Sequence, residues 1–260
     1  MVDHPGRPVR PNSKQQRLVA LAQHVLERGA VPIADLAEYF GVTKMTVYRD
    51  ITELEGSGAL FLRHGVAVAS ASSFTETAHN FRIALHADAK TAMCGAVRGR
   101  IRPGSTVFMD DSSTVIPLVD MLAEQAPITI ITNSQAIAES AARHPELRLF
   151  VVGGAYRPTY NSYAGESTIA VLRTLTADFC VMSSTAISNG MLYHPIEENV
   201  AIKRTMIERS RRSFLLADAS KFGHRATHEL GRVNDFDLLV IAGSPDPTEL
   251  AEVAIETVTV

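Results

Sequence analysis

Two stretches of the 260-residue chain carry side chains whose type and spacing could do chemistry. The first, from Thr43 to Arg49, sets hydroxyls, a phenol and two cations within seven residues. If Val47, Ile51 and Leu54 form the buried stripe of a helix, the 3.6-residue period turns Lys44, Tyr48 and Arg49 outward, with Thr43 and Thr46 near the leading end. Such a face suits a nucleic acid: Arg reads a guanine edge bidentately, Lys and Thr hold phosphates, and Tyr can do either. Arg63 and His64, flanking a turn at Gly65, could touch the neighbouring backbone.

The second stretch is distributed. Short apolar runs at 106–109, 128–131, 149–152, 179–182 and 214–217 each end in small polar residues. They are Asp110, Asp111, Ser112, Ser113 and Thr114; Thr132, Asn133 and Ser134; Gly153 and Gly154; Ser183, Ser184 and Thr185; and Asp218, Ser220 and Lys221. With a sixth run at 238–241, the alternation of strands and helices predicts a largely parallel α/β sheet, whose ligands bind beyond the carboxyl ends of the strands. Ser112, Ser113 and Thr114, read as beginning a helix, suit phosphate oxygens. Gly153 and Gly154 permit close backbone approach, and Lys221 can neutralise charge. Asp110, Asp111 and Asn133 suit sugar hydroxyls. Any one of these turns alone is more often an ordinary helix cap, and the reading as a site rests on their combination.

The elements needed to hold these groups are legible on either side of a small, polar junction at 69–73. Before it, Leu18, Leu21, Ala22, Val25 and Leu26 mark a helix stopped at Gly29. Ile33, Leu36, Ala37 and Phe40 mark a second, Gly41 a tight turn, and Thr43 the cap of a third helix reaching about Ser57. Leu60, Leu62, Val66 and Val68 alternate around Gly65 as a hairpin. Three helices and a hairpin make a winged helix-turn-helix over 13–70, followed by an α/β domain over 76–260. A long helix from Glu76 to Arg100, with Phe81, Leu85, Met93 and Val97 apolar, reads as connector and dimer element.

Composition narrows the class. Hydrophobic residues are 46% and charged residues 20%, as in a globular protein. No apolar run reaches the ~18 residues of a membrane span. The first twelve residues lack the apolar core of an export signal, and Cys94 and Cys180 read as reduced thiols, so a cytoplasmic location is expected. The net charge of −3 hides an asymmetry, with eight Lys or Arg against seven Asp or Glu up to residue 70. Arg7, Arg10, Lys14 and Arg17 face only Asp3 at the start and could meet a polyelectrolyte. No cofactor or metal is expected: His224 and His228 stand four apart without a third ligand.

From Arg17 to Val68 the sequence resembles the N-terminal domain of the DeoR family of bacterial transcriptional regulators. The likeness is carried by the run Val42 to Ile51 and by Glu53, Leu54, Glu55, Gly58, Arg63, His64 and Gly65. The family usually has Ser where Thr43 stands, and two arginines where this chain has Tyr48 and Arg49. From Phe81 to Ile241 it resembles the family's sensor domain, matching at Arg82, Lys90, Asp110, Thr114, Thr132, Asn133, Gly153, Gly154, Gly165, Lys203, Asp218, Ser220, Lys221 and Phe222. Glycines common in the family are replaced within 111–113 and at Ser183 and Ser184.

The resemblance implies a fold similar to sugar-phosphate isomerases and a homodimeric or homotetrameric repressor of sugar or polyol genes. Its operator affinity would answer to a phosphorylated metabolite. It also adds Lys203 to the effector set, although Glu197, Glu198, Lys203 and Arg204, on a helix expected over 196–211, otherwise read as a solvated face. The sequence leaves two alternatives open. One is an isomerase-like enzyme using Asp110, Asp111, Glu197, Lys203 and Lys221, and the other is a regulator whose effector is not phosphorylated.

Overall fold

A computed structural model describes residues 14–56, 60–69, 83, 85–157 and 160–260. The chain divides into two compact units, 1–85 and 86–260. The junction at 70–73, Arg7 and Arg10, and the first part of the expected connector helix lie outside the described residues.

In the first unit, α1 (Lys14–Arg28), α2 (Ile33–Phe40) and α3 (Lys44–Gly56) pack with β1 (Ala30–Pro32), β2 (Leu60–Arg63) and β3 (Val66–Ala69). Leu18, Leu21, Val25, Ile33, Leu36, Phe40, Val47, Ile51 and Leu54 form one core, the helical stripes that the periodicity predicts. Gly41 ends α2 in the left-handed region at φ 64°, where its N–H caps the helix carbonyls. The three-stranded sheet runs β1-β3-β2, so Ala30–Pro32 joins the wing as a strand that a three-residue segment gives no period to reveal.

The hairpin register corrects one expectation. His64 (φ 49°) and Gly65 (φ 77°) make a two-residue turn that pairs Leu62 with Ala67 and Phe61 with Val68. Directly paired residues share a face, so Ala67, rather than Val66 or Val68, joins Leu60 in the core, and Phe61 is exposed.

The second unit is a three-layer α/β domain. Its seven-stranded sheet has the order β15-β14-β12-β9-β4-β5-β6, with every pairing parallel. The strands are β4 (Thr106–Met109), β5 (Ile128–Thr132), β6 (Leu147–Val151), β9 (Ala177–Met182), β12 (Ser210–Asp218), β14 (Leu238–Ala242) and β15 (Glu256–Thr259). All six apolar runs fall on strands; the inner ones bury both faces, whereas β6, at the sheet edge, leaves Phe150 and Val151 exposed. Val107, Met109, Phe214, Leu216, Leu238 and Val240 face one core, under α4 (Ala87–Arg98), α5 (Leu118–Ala123) and α6 (Gln135–Ala141). Phe108, Leu215, Ala217, Leu239 and Ile241 face the other, under α7 (Glu166–Thr174) and α8 (Glu197–Glu208). Two small antiparallel groups complete the unit: β7 (Ala155–Arg157) with β8 (Ser162–Ala164), and β10 (Ala186–Ser188) with β11 (Met191–His194) and β13 (His228–Arg232).

Two helix boundaries differ from the sequence reading. The connector helix begins at Ala87, after His86 in the left-handed region at φ 54°, a conformation that interrupts any helix running through from 76. The helix expected over 196–211 ends at Glu208, and Ser210 onward extends β12, whose alternating exposure at 210–213 conceals the strand's first half.

Candidate functional site

The candidate reading face of α3 is built as its spacing dictates. Thr43 caps the helix by accepting from the Thr46 N–H at 3.2 Å, and its hydroxyl lies 2.9 Å from that of Thr46. Lys44, Tyr48 and Arg49 are exposed, as are Arg63 and His64 on the wing, while Thr46 is half-buried. A Cβ placed on Gly65 would come within 3.8 Å of the Tyr48 hydroxyl, so the phenol reaches from the helix to the wing turn.

The basic start of the chain does not behave as a free cationic arm among the described residues. Lys14 pairs with Glu53 at 2.6 Å. Arg17 grips the nearly fully buried Asp50 with Nε at 2.6 Å and Nη2 at 3.1 Å. The Asp50 hydrogen bond raises the Arg17 pKa against the opposing effect of burial. Both cations therefore tie α1 to α3. The reason is the helical period, which points Asp50 inward beside Ile51 and leaves it needing a partner.

In the second unit, the parallel sheet brings the carboxyl ends of all its strands to one edge. The strand order reverses between β4 and β9, and that switch point is where open α/β sheets bind ligands. The densest polar cluster lies there. Asp110, fully buried at the end of β4, accepts from the Ser112 N–H at 3.1 Å and the Ser112 hydroxyl at 2.6 Å. Its other oxygen takes Lys203 Nζ and faces the Ser183 N–H at 3.4 Å. Asp111 accepts from Asn199 Nδ2 at 2.8 Å and the Ser162 hydroxyl at 3.1 Å, and lies 3.4 Å from Lys203 Nζ.

Lys203 is thus 3% exposed and wedged between two carboxylates. The solvated-face reading of its helix fails at this position, because 203 and 199 fall on the inward stripe of α8 one turn apart. Lys90 on α4, also buried, donates to the Ser113 hydroxyl at 3.1 Å. Cys180, fully buried, has its pKa pushed well up by burial and by Asp110, and burial raises Cys94 to about 12, so neither is a nucleophile.

The turn after β4 departs from expectation. Ser112, Ser113 and Thr114 do not begin a helix; α5 starts at Leu118, and the intervening residues form successive turns. Their hydroxyls therefore work without a helix dipole behind them, and the buried Lys90 is the cation beside them. After β5, Ser134 caps α6 by accepting from the Ile137 N–H at 3.4 Å. Asn133, 2% exposed, donates Nδ2 to the Tyr163 carbonyl at 2.9 Å, and its backbone carbonyl accepts from the Tyr163 N–H at 2.8 Å.

After β6 the two glycines divide. A Cβ on Gly154 would lie 2.1 Å from Thr168 Oγ1 and 2.7 Å from the Ala164 carbonyl, so that glycine serves internal packing, whereas Gly153 opens onto free space. After β9, the Ser184 hydroxyl lies 3.1 Å from the carbonyls of Ala186 and Tyr193, a structural use of the side chain that replaces glycine. After β12, burial pushes the Asp218 pKa up, but Lys221, the Ser220 hydroxyl and N–H, and His86 together outweigh it and hold the group below the usual carboxylate range.

The expected effector residues do not converge on one point. Between β12 and β6 lie four strand spacings of about 4.8 Å, roughly 19 Å in all, more than a pentose phosphate spans. Asp110, Asp111, Ser112, Ser113, Thr114, Asn133 and Lys203 sit centrally, on the ends of β4 and β5 and under α8. Lys221 with Asp218 lies to one side and Gly153 to the other. Sequence reasoning missed Asn199 and Ser162. Lys90 carried a signal in the family match but none in the spacing. A cavity of about 450 Å³ lined by Thr106, Asp178, Arg209 and Arg211 opens at the opposite edge of the sheet, where Asp178 accepts from the Thr106 N–H and Arg209 donates to the Leu175 carbonyl. Among the described residues no group of three or more His, Cys, Asp or Glu could hold a metal, and no helix is long and apolar enough to cross a membrane.

The first unit, a winged helix-turn-helix with an exposed cationic helix face, has the architecture of a DNA-binding regulator, and the second is a doubly wound sheet with a polar switch point. The DeoR-like helix-turn-helix domain matches residues 17–73 and the DeoR C terminal sensor domain matches residues 85–242. The chain belongs to the DeoR family of transcriptional regulators, and the enzyme alternative is set aside on that membership. The HTH-type transcriptional repressor CsqR of Escherichia coli is 32% identical over 85% of this chain and 84% of its own. The glycerol-3-phosphate regulon repressor of the same organism is 29% identical over 92% and 94%. A D-ribose-5-phosphate isomerase solved with phospho-erythronic acid aligns over 52% of this chain and 54% of its own, at 13% identity and a TM-score of 0.40.

Proposed function

We propose that this regulator is a cytoplasmic repressor of sugar or polyol genes, working as a homodimer or homotetramer, whose operator affinity is set by a phosphorylated sugar-type metabolite. Residues 13–70 read the operator through Lys44, Tyr48, Arg49, Arg63 and His64, with Thr43 and Thr46 on the phosphates. Residues 76–260 hold the effector and join the copies. One winged helix covers little DNA, and two linked modules gain effective concentration on paired half-sites.

The observation that carries the effector reading is the buried Lys90 on the Ser113 hydroxyl, beside the Asp110, Asp111 and Lys203 cluster at the switch point. The phosphate end belongs on the Ser112 to Thr114 turn with Lys90, and the hydroxyl end over Asp110, Asp111 and Asn133. Lys221, two strands from β4 and beside Asp218, is demoted to a peripheral role. The relatives named as repressors, one of them of a glycerol-3-phosphate regulon, support the same reading.

The two buried carboxylates favour one second reading, an unphosphorylated polyol effector, since they repel an anion placed on them. A thermal-shift screen separates the two, because a ligand bound only by the native state raises apparent stability. Sugar and polyol phosphates should raise the transition while their unphosphorylated parents do not. Stabilisation by the parents alone would reject the phosphate.

A further inference from the structure

The amide of Asn133 is held in one orientation. Its Nδ2 donates to the Tyr163 carbonyl at 2.9 Å, and a flipped amide would set two oxygens against each other there. That leaves Oδ1 as the acceptor on the other side. Asn133 is 2% exposed, and among the described residues Oδ1 has no hydrogen-bond partner. Oxygens at such depth are normally satisfied, so an unmet acceptor beside a polar cluster marks a place where a donor is meant to arrive.

The neighbouring groups say what kind of donor. Asn133 follows β5, which pairs directly with β4, so it stands about 4.8 Å along the sheet edge from the Asp110 strand end. Asp110 and Asp111 are acceptors as well, and the cations near them are already engaged, Lys203 with both carboxylates and Lys90 with Ser113. The wall formed by β4 and β5 is therefore rich in acceptors on adjacent strands. A hydroxyl can donate to it, whereas a carbonyl oxygen or a phosphate oxygen sets lone pair against lone pair.

We infer that Asn133 is a specificity-determining residue that reads a hydroxyl on the ligand, so that the site prefers a hydroxyl-bearing carbon over a carbonyl carbon opposite Asn133 Oδ1. The inference rests on the effector site proposed above and adds the oxidation state of its ligand: an alditol-type or ring-hydroxyl form binds and the open-chain keto form is rejected. A site built to pair a hydroxyl loses far more with an analogue lacking the donor than an apolar pocket loses with a missing methylene, because its own polar group is left unpaired.

The test is calorimetric titration of the full chain with matched pairs whose ketose cannot close to a five-membered ring: D-ribitol 5-phosphate against D-ribulose 5-phosphate, and D-xylitol 5-phosphate against D-xylulose 5-phosphate. Ribitol, xylitol, erythritol and erythrulose are run in parallel, the last two as the unphosphorylated matched pair. In the better-bound pair the hydroxyl form should bind on the order of tenfold tighter or more. In Asn133→Leu that ratio should fall below about threefold, chiefly through loss of the hydroxyl form. Asn133→Thr, whose hydroxyl can accept or donate, should also level the pair and serves if the leucine variant does not fold. Equal affinities or a keto preference in the unaltered chain overturn the inference without any variant, as does a ratio that both variants leave unchanged. If only the unphosphorylated compounds bind and they show the Asn133-dependent preference, the inference stands and the phosphate reading falls. Binding by none of the eight compounds overturns both.

Discussion

The two units use charge in opposite ways. In the winged helix the polar groups proposed to read DNA are left in solvent: Lys44, Tyr48, Arg49, Arg63 and His64 are exposed, while Lys14 and Arg17 are tied to α3 by Glu53 and Asp50. In the α/β unit the polar groups of the candidate site are buried, and nearly every one is already bonded to another member of the cluster. A reader of DNA needs cations that can reach a partner much larger than itself, and pays little for them while unbound. A site for a small molecule needs fixed, desolvated groups, whose burial must be offset within the protein before any ligand arrives. Mutations at the two surfaces should therefore separate stability from binding.

The largest effect is expected at Lys203. Lys203→Met leaves Asp110 and Asp111 buried together without their shared cation, a change of about 3 to 5 kcal/mol in the chemical denaturation of the α/β unit. A loss under about 1 kcal/mol would show that the cluster is not the buried network described. Next, Arg17→Ala leaves the buried Asp50 unpaired and should cost the winged helix about 2 to 3 kcal/mol, read as an earlier transition of that unit. An effect on DNA affinity without any on stability would return Arg17 to the interface.

Arg49→Ala should show the reverse pattern. Operator affinity falls by roughly 1 to 3 kcal/mol at fixed salt, with melting within about 0.5 kcal/mol of the original. Unchanged affinity removes Arg49 from the reading face. The smallest effect concerns acid. Asp218 has a folded pKa held below its unfolded value, so its contribution is present above the unfolded pKa and is lost as pH falls through the folded one. From about pH 4 downward, the α/β unit of the unaltered chain should lose stability more steeply than Asp218→Asn. Parallel acid transitions in the two would show that Asp218 gains nothing on folding.

How much the sequence disclosed follows the same division. Stripes such as Leu36, Ala37 and Phe40, and doubly buried runs such as Leu238 to Ile241, are local patterns, and each became the element it predicts. The exposure of Lys44, Tyr48 and Arg49 was legible because all three lie on α3, where the helical period alone decides which side chains face out. The buried site was legible only by strand end. Which ends lie side by side depends on strand order, which no single run encodes; so Lys221 looked as central as Asp110 until β12 and β4 proved two places apart. Asn199 was hidden, and Lys203 was reached only through the family resemblance, because a helix with charges three and four apart looks solvated until its packing partner is known. Tertiary demand also explains Arg17, whose partner Asp50 lies 33 residues away.

The proposed regulation requires that the buried cluster and the exposed face be thermodynamically linked. Fluorescence anisotropy of the full chain on a labelled operator fragment, titrated at fixed salt with and without a saturating sugar or polyol phosphate found to bind, tests it directly. A coupling of about 1 to 3 kcal/mol predicts a 5- to 150-fold change in operator affinity, abolished by disabling the effector site and retained in Lys221→Ala. An operator affinity that does not move while the phosphate occupies its site would mean that the two units are not coupled.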